Sequence, residues 1–126
     1  MLPRFLTILL PAFIVLTAIK SAHAGGMPTQ IGECVETRVR AVGTRLENVP
    51  GSGSLITFAN GGQQVSYKQI PQVDQSRAGD VVMMCLVYIP RNCPPGDYRG
   101  RRYRTTNSRT AQTWTLPDAE HMCGGA

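Results

Sequence analysis

The sequence predicts an all-β fold, a small disulfide-stapled barrel or sandwich of about six strands. Three observations carry this. Apolar residues recur mostly at a spacing of two, the period of a half-buried strand. Clusters of Gly, Pro, Asn and Ser separate the apolar runs at short intervals, as turns do. The chain also holds four cysteines, Cys34, Cys85, Cys93 and Cys123, an even number suited to two disulfides.

The elements follow in order. Glu33 to Val42 alternates, with Val35, Thr37, Val39 and Ala41 on one face and Glu36, Arg38 and Arg40 on the other. Val49-Pro50-Gly51-Ser52-Gly53 reads as a loop. Ser54 to Tyr67 reads as a hairpin around Asn60-Gly61-Gly62, because Asn and Gly tolerate positive φ. An even-length turn at Gly61 and Gly62 places Phe58 opposite Val65 and Ile56 opposite Tyr67, all on one face, with Thr57, Gln64 and Ser66 on the other. Lys68 to Asp80 is polar, contains Pro71 and offers the one place for a short helix. Val81 to Ile89 is apolar at every position and predicts a central strand covered on both faces. Pro90 to Gly100 is a proline-stiffened loop holding Cys93. Gly100–Thr106 and Ala111–Leu116 form the last hairpin. A turn centred on Ser108 and Arg109 sets Tyr103 opposite Trp114, with Arg101, Thr105, Gln112 and Leu116 on that packed face and Arg102, Arg104, Thr113 and Thr115 on the other. Six short strands of this kind suit an OB-like or SH3-like barrel.

Upstream of these elements, residues 1–24 read as a cleavable signal peptide. Arg4 supplies the positive start, Phe5–Ile19 is uncharged and apolar, and Ala22-His23-Ala24 fits the small-x-small cleavage pattern. The run of 15 residues, broken by Pro11, is too short for a spanning helix of about 20. The expected product is a single β domain over 25–126 in an oxidising compartment. Two disulfides stabilise such a small domain by about 2–4 kcal/mol each. Cys34–Cys85 across two strands with Cys93–Cys123 tying the tail to the proline loop is the preferred pairing. Cys34–Cys123 with Cys85–Cys93 is its main rival.

Charge is concentrated in one segment. Without Arg4 and Lys20 the chain keeps 11 basic and 8 acidic residues, a net +3. Residues 91–109 alone hold six arginines against Asp97, a local +5. Arginine offers planar, bidentate contacts to phosphate, sulfate or carboxylate. Arg102 and Arg104 share a strand face, Arg91, Arg99 and Arg109 fall in the adjoining loops, and Tyr98 and Tyr103 interleave with them. Arg99, Arg102, Arg104, Arg109 and Tyr98 are therefore the candidate binding residues. The competing reading is a solvated strand whose charges discourage edge pairing.

Other chemistry finds little support. Asp118, Glu120, His121 and Cys123 cluster near the end, but their spacing is not that of a zinc module, and an oxidised Cys123 is no thiolate donor. Ser54, Ser66 and Ser76 lie outside any nucleophile-elbow pattern. Gly51-Ser52-Gly53-Ser54 lacks the lysine of a phosphate loop. Met83 and Met84 read as core filling. No catalytic residue, metal or cofactor is expected.

The stretches GDVVMMCLVYIPRNCPPGDYRGRRYRTTNSRT and WTLPDAEHMCGGA resemble small exported proteins of alphaproteobacterial type. The resemblance covers most of residues 31–126. It implies a bacterial periplasm and supplies no activity and no functional residues. The expectation is a periplasmic or secreted non-enzymatic binding module. Its arginine-rich hairpin would contact an envelope protein, an acidic protein patch, or an anionic glycan or lipid head group; the compartment argues against nucleic acid. A lysozyme-type inhibitor is a second expectation, against which the basic charge counts. A small hydrolase using Asp118, Glu120 or His121 is a third.

Overall fold

A computed structural model describes residues 2–3, 14–15 and 25–125. The signal-peptide reading falls almost wholly outside these residues. Among the described residues are six antiparallel strands and one helical turn: β1 (Cys34–Thr44), β2 (Ser54–Phe58), β3 (Gln63–Ser66), α1 (Pro71–Asp74), β4 (Val81–Tyr88), β5 (Arg102–Asn107) and β6 (Thr113–Pro117). The order across the sheet is β3-β2-β1-β4-β5-β6, curled into a half-barrel. All-β class, strand number and the position of the short helix are as the sequence predicts.

The curl originates in β1. Its first half, Cys34–Arg38, pairs with β4, and its second half, Val39–Thr44, pairs with β2. A bulge between Val39 and Ala41 bends the strand at the handover. The extra residue reverses the alternation. Ala41, expected inside, is exposed, and Val42 packs against the core instead. Val35, Val39, Ile56, Phe58, Val82, Met84 and Leu86 then share one interior with Tyr103, Trp114 and Leu116. Pro71 opens α1 at a position where its missing N–H is harmless. Val73 from that turn is fully buried in the same core.

The first hairpin departs from its predicted register. Three residues, Ala59 to Gly61, separate Phe58 from Gly62, whose carbonyl accepts from the Phe58 amide at 2.9 Å. Asn60 Oδ1 accepts from the Gly62 amide at 3.0 Å, so the Asn side chain builds the turn one residue earlier than a Gly-Gly turn would. The pairs become Leu55↔Val65 and Ile56↔Gln64. Tyr67 is left 55% exposed, and Gln64 enters the core.

Burial of Gln64 is stabilising only because every polar atom finds a partner. Its Oε1 accepts from Thr105 Oγ1 at 2.7 Å and from Trp114 Nε1 at 2.9 Å. Its Nε2 donates to the Tyr103 carbonyl at 2.7 Å and the Leu116 carbonyl at 3.1 Å. Gln63 Nε2 adds a bond to the Asp118 carbonyl at 3.0 Å. These side-chain bonds hold β3 against β5 and β6 across the seam of the half-barrel.

The other predicted hairpin, β5–β6, keeps its faces but shifts by two residues. Thr105 pairs with Trp114 and Tyr103 with Leu116. Asn107 Oδ1 accepts from the Arg109 amide at 2.9 Å, and Ala111 adopts φ 54°, which lengthens the loop. Tyr103, Thr105, Trp114 and Leu116 stay inside, but Gln112, expected with them, is exposed. In β4 only Val82, Met84 and Leu86 are buried. Val81, Met83, Cys85 and Val87 are half-buried, so the strand is central but not covered on both faces. Cys34–Cys85 joins two paired residues of β1 and β4, and Cys93–Cys123 ties the proline loop to the tail. This is the preferred pairing, and no described cysteine is free.

Candidate functional site

The outer face of the sheet alternates with the core, so its composition follows from strand parity. One cross-strand row runs Cys34, Cys85, Arg104, Thr115, and another runs Tyr88, Arg102, Pro117. A register shift between Leu86 and Tyr88 turns Tyr88 outward to meet Arg102. The Arg102 guanidinium lies 6.0 Å from the centre of the Tyr88 ring, within cation–π range. Among the described residues neither Arg102 nor Arg104 forms an ion pair, and both are exposed.

The remaining predicted residues are drawn elsewhere. Arg109 reaches Asp80, with Nε to Oδ1 at 2.7 Å and Nη2 to Oδ2 at 3.0 Å, and donates to the Gln75 carbonyl at 2.8 Å. Asp80 is only 7% exposed at its side chain. It also accepts from the Arg77 amide and from Asn107 Nδ2, both at 2.8 Å. The Arg109 hydrogen bonds, then those of Asn107 and Arg77, hold its carboxyl far below the usual carboxylate range despite partial desolvation. Buried Asn107 completes the cluster through Ser76 Oγ at 3.1 Å.

Arg99 is tied at the other end of the segment. It grips Asp97 through Nε and Nη2, both at 2.9 Å, and Nη2 also donates to the Gly125 carbonyl at 3.2 Å. Asp97 accepts from the Gly124 amide as well, and these bonds keep its carboxyl well below the ordinary range. Arg91 lies exposed in the proline loop. Of the four candidate arginines, then, folding presents Arg102 and Arg104 together and commits Arg99 and Arg109 to carboxylates.

Tyr98 is 66% exposed, with the Arg101 guanidinium 5.3 Å from its ring centre. The two residues line a cleft of about 310 Å³ with Ile89, Pro90, Pro94 and Pro95. Sequence reasoning passes over Tyr88 and Arg101. Tyr88 sits in an uninterrupted apolar run, and only the irregularity beside it reverses its side. Tyr103, which alternates with the arginines in sequence, is 2% exposed and belongs to the core.

The acidic cluster near the end is also dispersed. Asp118 Oδ1 accepts from the Gly100 amide at 2.8 Å, and burial pushes its carboxyl pKa up. Glu120 pairs with Arg45 at 3.3 Å, and Cys123 is oxidised. Among the described residues no group of three or more His, Cys, Asp or Glu side chains is placed to hold a metal. No described helix is long and apolar enough to cross a membrane. Comparison with protein-family models, with curated proteins and with solved structures finds no match for this chain.

Proposed function

We propose that the protein is a non-enzymatic binding module of the bacterial periplasm whose outer sheet face engages an anionic partner through Arg102 and Arg104. One observation carries the reading: these two exposed guanidinium groups lie on adjacent outward positions of β5 with no carboxylate partner among the described residues. A guanidinium without an internal acid keeps its bidentate donors for an external carboxylate, sulfate or phosphate. Two disulfides in so small a domain support an oxidising compartment. The stapled sheet supports the reading further, since a rigid strand presents both groups without a backbone ordering cost on binding.

The test is a double charge reversal, Arg102→Glu with Arg104→Glu, followed by capture from envelope extracts and by direct titration. Both side chains point to solvent, so the variant folds. Binding weakens tenfold or more, most clearly at low ionic strength, where screening is least. Undiminished binding by the folded double variant removes this face from consideration.

A further inference from the structure

β4 is apolar at every position, the composition of a strand covered on both faces. Among the described residues only one face is covered. Val82, Met84 and Leu86 fill the core, whereas Val81, Met83, Cys85 and Val87 on the other side are half-buried. The Cys34–Cys85 bridge lies in this outer row, so its sulfurs carry the apolar stripe onto β1. Tyr88, 41% exposed, ends the stripe beneath Arg102. An apolar patch rimmed by polar side chains and left partly in water marks a surface that meets another.

The rim is charged and its excess is positive. On β1, Arg38 stands opposite Val81 and Glu36 opposite Met83. On β5, Arg104 stands opposite Cys85 and Arg102 opposite Tyr88. Three arginines thus flank the stripe against one glutamate, and Arg38 already donates to the Gly79 carbonyl at 3.0 Å. A second copy of the chain would set the same positive excess against this one. The chain's own apolar leader, Phe5–Ile19, has Arg4 and Lys20 at its ends, again the wrong sign. The complementary occupant is apolar along the stripe and acidic along its β5 flank. An extended strand turns alternate side chains away, so only one set meets the sheet. A helix offers an apolar face with acids on its flank, and its diameter of about 10–12 Å reaches across the strand spacing of about 4.8 Å.

We infer that the outer face of β4 and β5 docks an acidic amphipathic helix of a partner protein. Its apolar side lies on Val81, Met83 and the Cys34–Cys85 bridge, and its carboxylates take Arg102 and Arg104. This deepens the proposed function and rests on it for the two arginines, whereas the apolar stripe is a separate contribution. A helix of about 18 residues matches the roughly 27 Å run of β4.

The experiment titrates the oxidised protein with a synthetic helix of that length, leucines on one face and glutamates on the flank. One control peptide replaces the leucines by glutamine, another replaces the glutamates by lysine, and phosphatidylglycerol vesicles supply a lipid surface. The leucine–glutamate helix binds about tenfold or more tightly than either control and shifts the methyl signals of Val81 and Met83. Met83→Thr, a substitution suited to a strand, weakens it about fivefold and leaves the glutamine control unchanged. Equal binding of the glutamine control removes the apolar stripe and overturns the inference. The proposed function then still stands if the Arg102→Glu/Arg104→Glu variant weakens both peptides. Vesicle binding without peptide binding overturns the inference in favour of a membrane. Self-association that Met83→Thr abolishes, without peptide binding, overturns it in favour of a second copy. Peptide binding that survives the double arginine reversal overturns both readings.

Discussion

Arg99 and Arg109, at the two ends of the basic segment, differ from Arg102 and Arg104 in its middle. All four are arginines within eleven residues of sequence, yet the outer two are structural and the inner two are presented. The difference lies in which acid folding delivers to each. Asp80 arrives beside Arg109 because the Gly79–Asp80 turn leads into β4, the neighbour of β5. Asp97 meets Arg99 through a tight turn two residues away. Among the described residues no acid forms an ion pair with Arg102 or Arg104 on the outward face of β5. Local charge density in a sequence thus overstates the charge available to a partner, and the surplus becomes framework.

The comparison can be broken most forcefully at the tail. Cys93→Ala with Cys123→Ala removes a crosslink spanning 30 residues, worth about 3–4 kcal/mol in the chain-entropy account. The melting temperature falls steeply, and with the ordered tail Arg99 loses the Gly125 carbonyl and Asp97 loses the Gly124 amide. A melting temperature within a degree or two of wild type contradicts the view that this end is framework.

Asp80→Ala is the next largest. It strands buried Asn107 and the Arg77 amide and leaves Arg109 without its acid, a loss of about 2–3 kcal/mol in denaturant unfolding. Asp80→Asn keeps part of the hydrogen bonding and falls between.

Acid titration separates the two regions without mutation. The carboxyl of Asp80 is lowered from an ordinary 3.8, so its stabilisation is fully present above about pH 4 and is lost as pH falls through the depressed value. Asp97 behaves in the same sense. Asp118, raised by burial, acts oppositely, because its stabilising contribution fades as pH rises through the raised value. Unfolding free energy measured from pH 7 to pH 2 declines chiefly below pH 4 in the wild type, and less in Asp80→Asn.

The smallest effect is expected from Arg102→Ala with Arg104→Ala. Exposed, unpaired side chains change stability by no more than about 0.5 kcal/mol. A loss above 1 kcal/mol makes the middle of the segment framework too.

Much of the fold is legible because it depends on local pattern. Alternation locates β1 and β5–β6, the apolar run locates β4, and Pro71 locates the helical turn. The faces of the last hairpin survive a register shift of two, because an even shift preserves parity. The first hairpin shows the opposite case. Its predicted register differs from the observed one by three residues, an odd number, which brings Gln64 inside and turns Tyr67 out. A glutamine reads as solvent-facing in any local window. Only Thr105, Trp114 and two carbonyls on strands 39–52 residues away make its burial favourable.

The candidate site divides along the same line. By itself the sequence determined the all-β class, the strand count and the outward parity of Arg102 and Arg104, since each follows from periodicity within a few residues. It also favoured the observed disulfide pairing without excluding the rival. Tertiary structure alone decided that Arg109 belongs to Asp80, that Tyr88 faces Arg102, and that Tyr98 and Arg101 share a cleft. Ion pairs form between residues distant in the chain, and a single-residue irregularity such as that beside Tyr88 reverses which side chains face solvent.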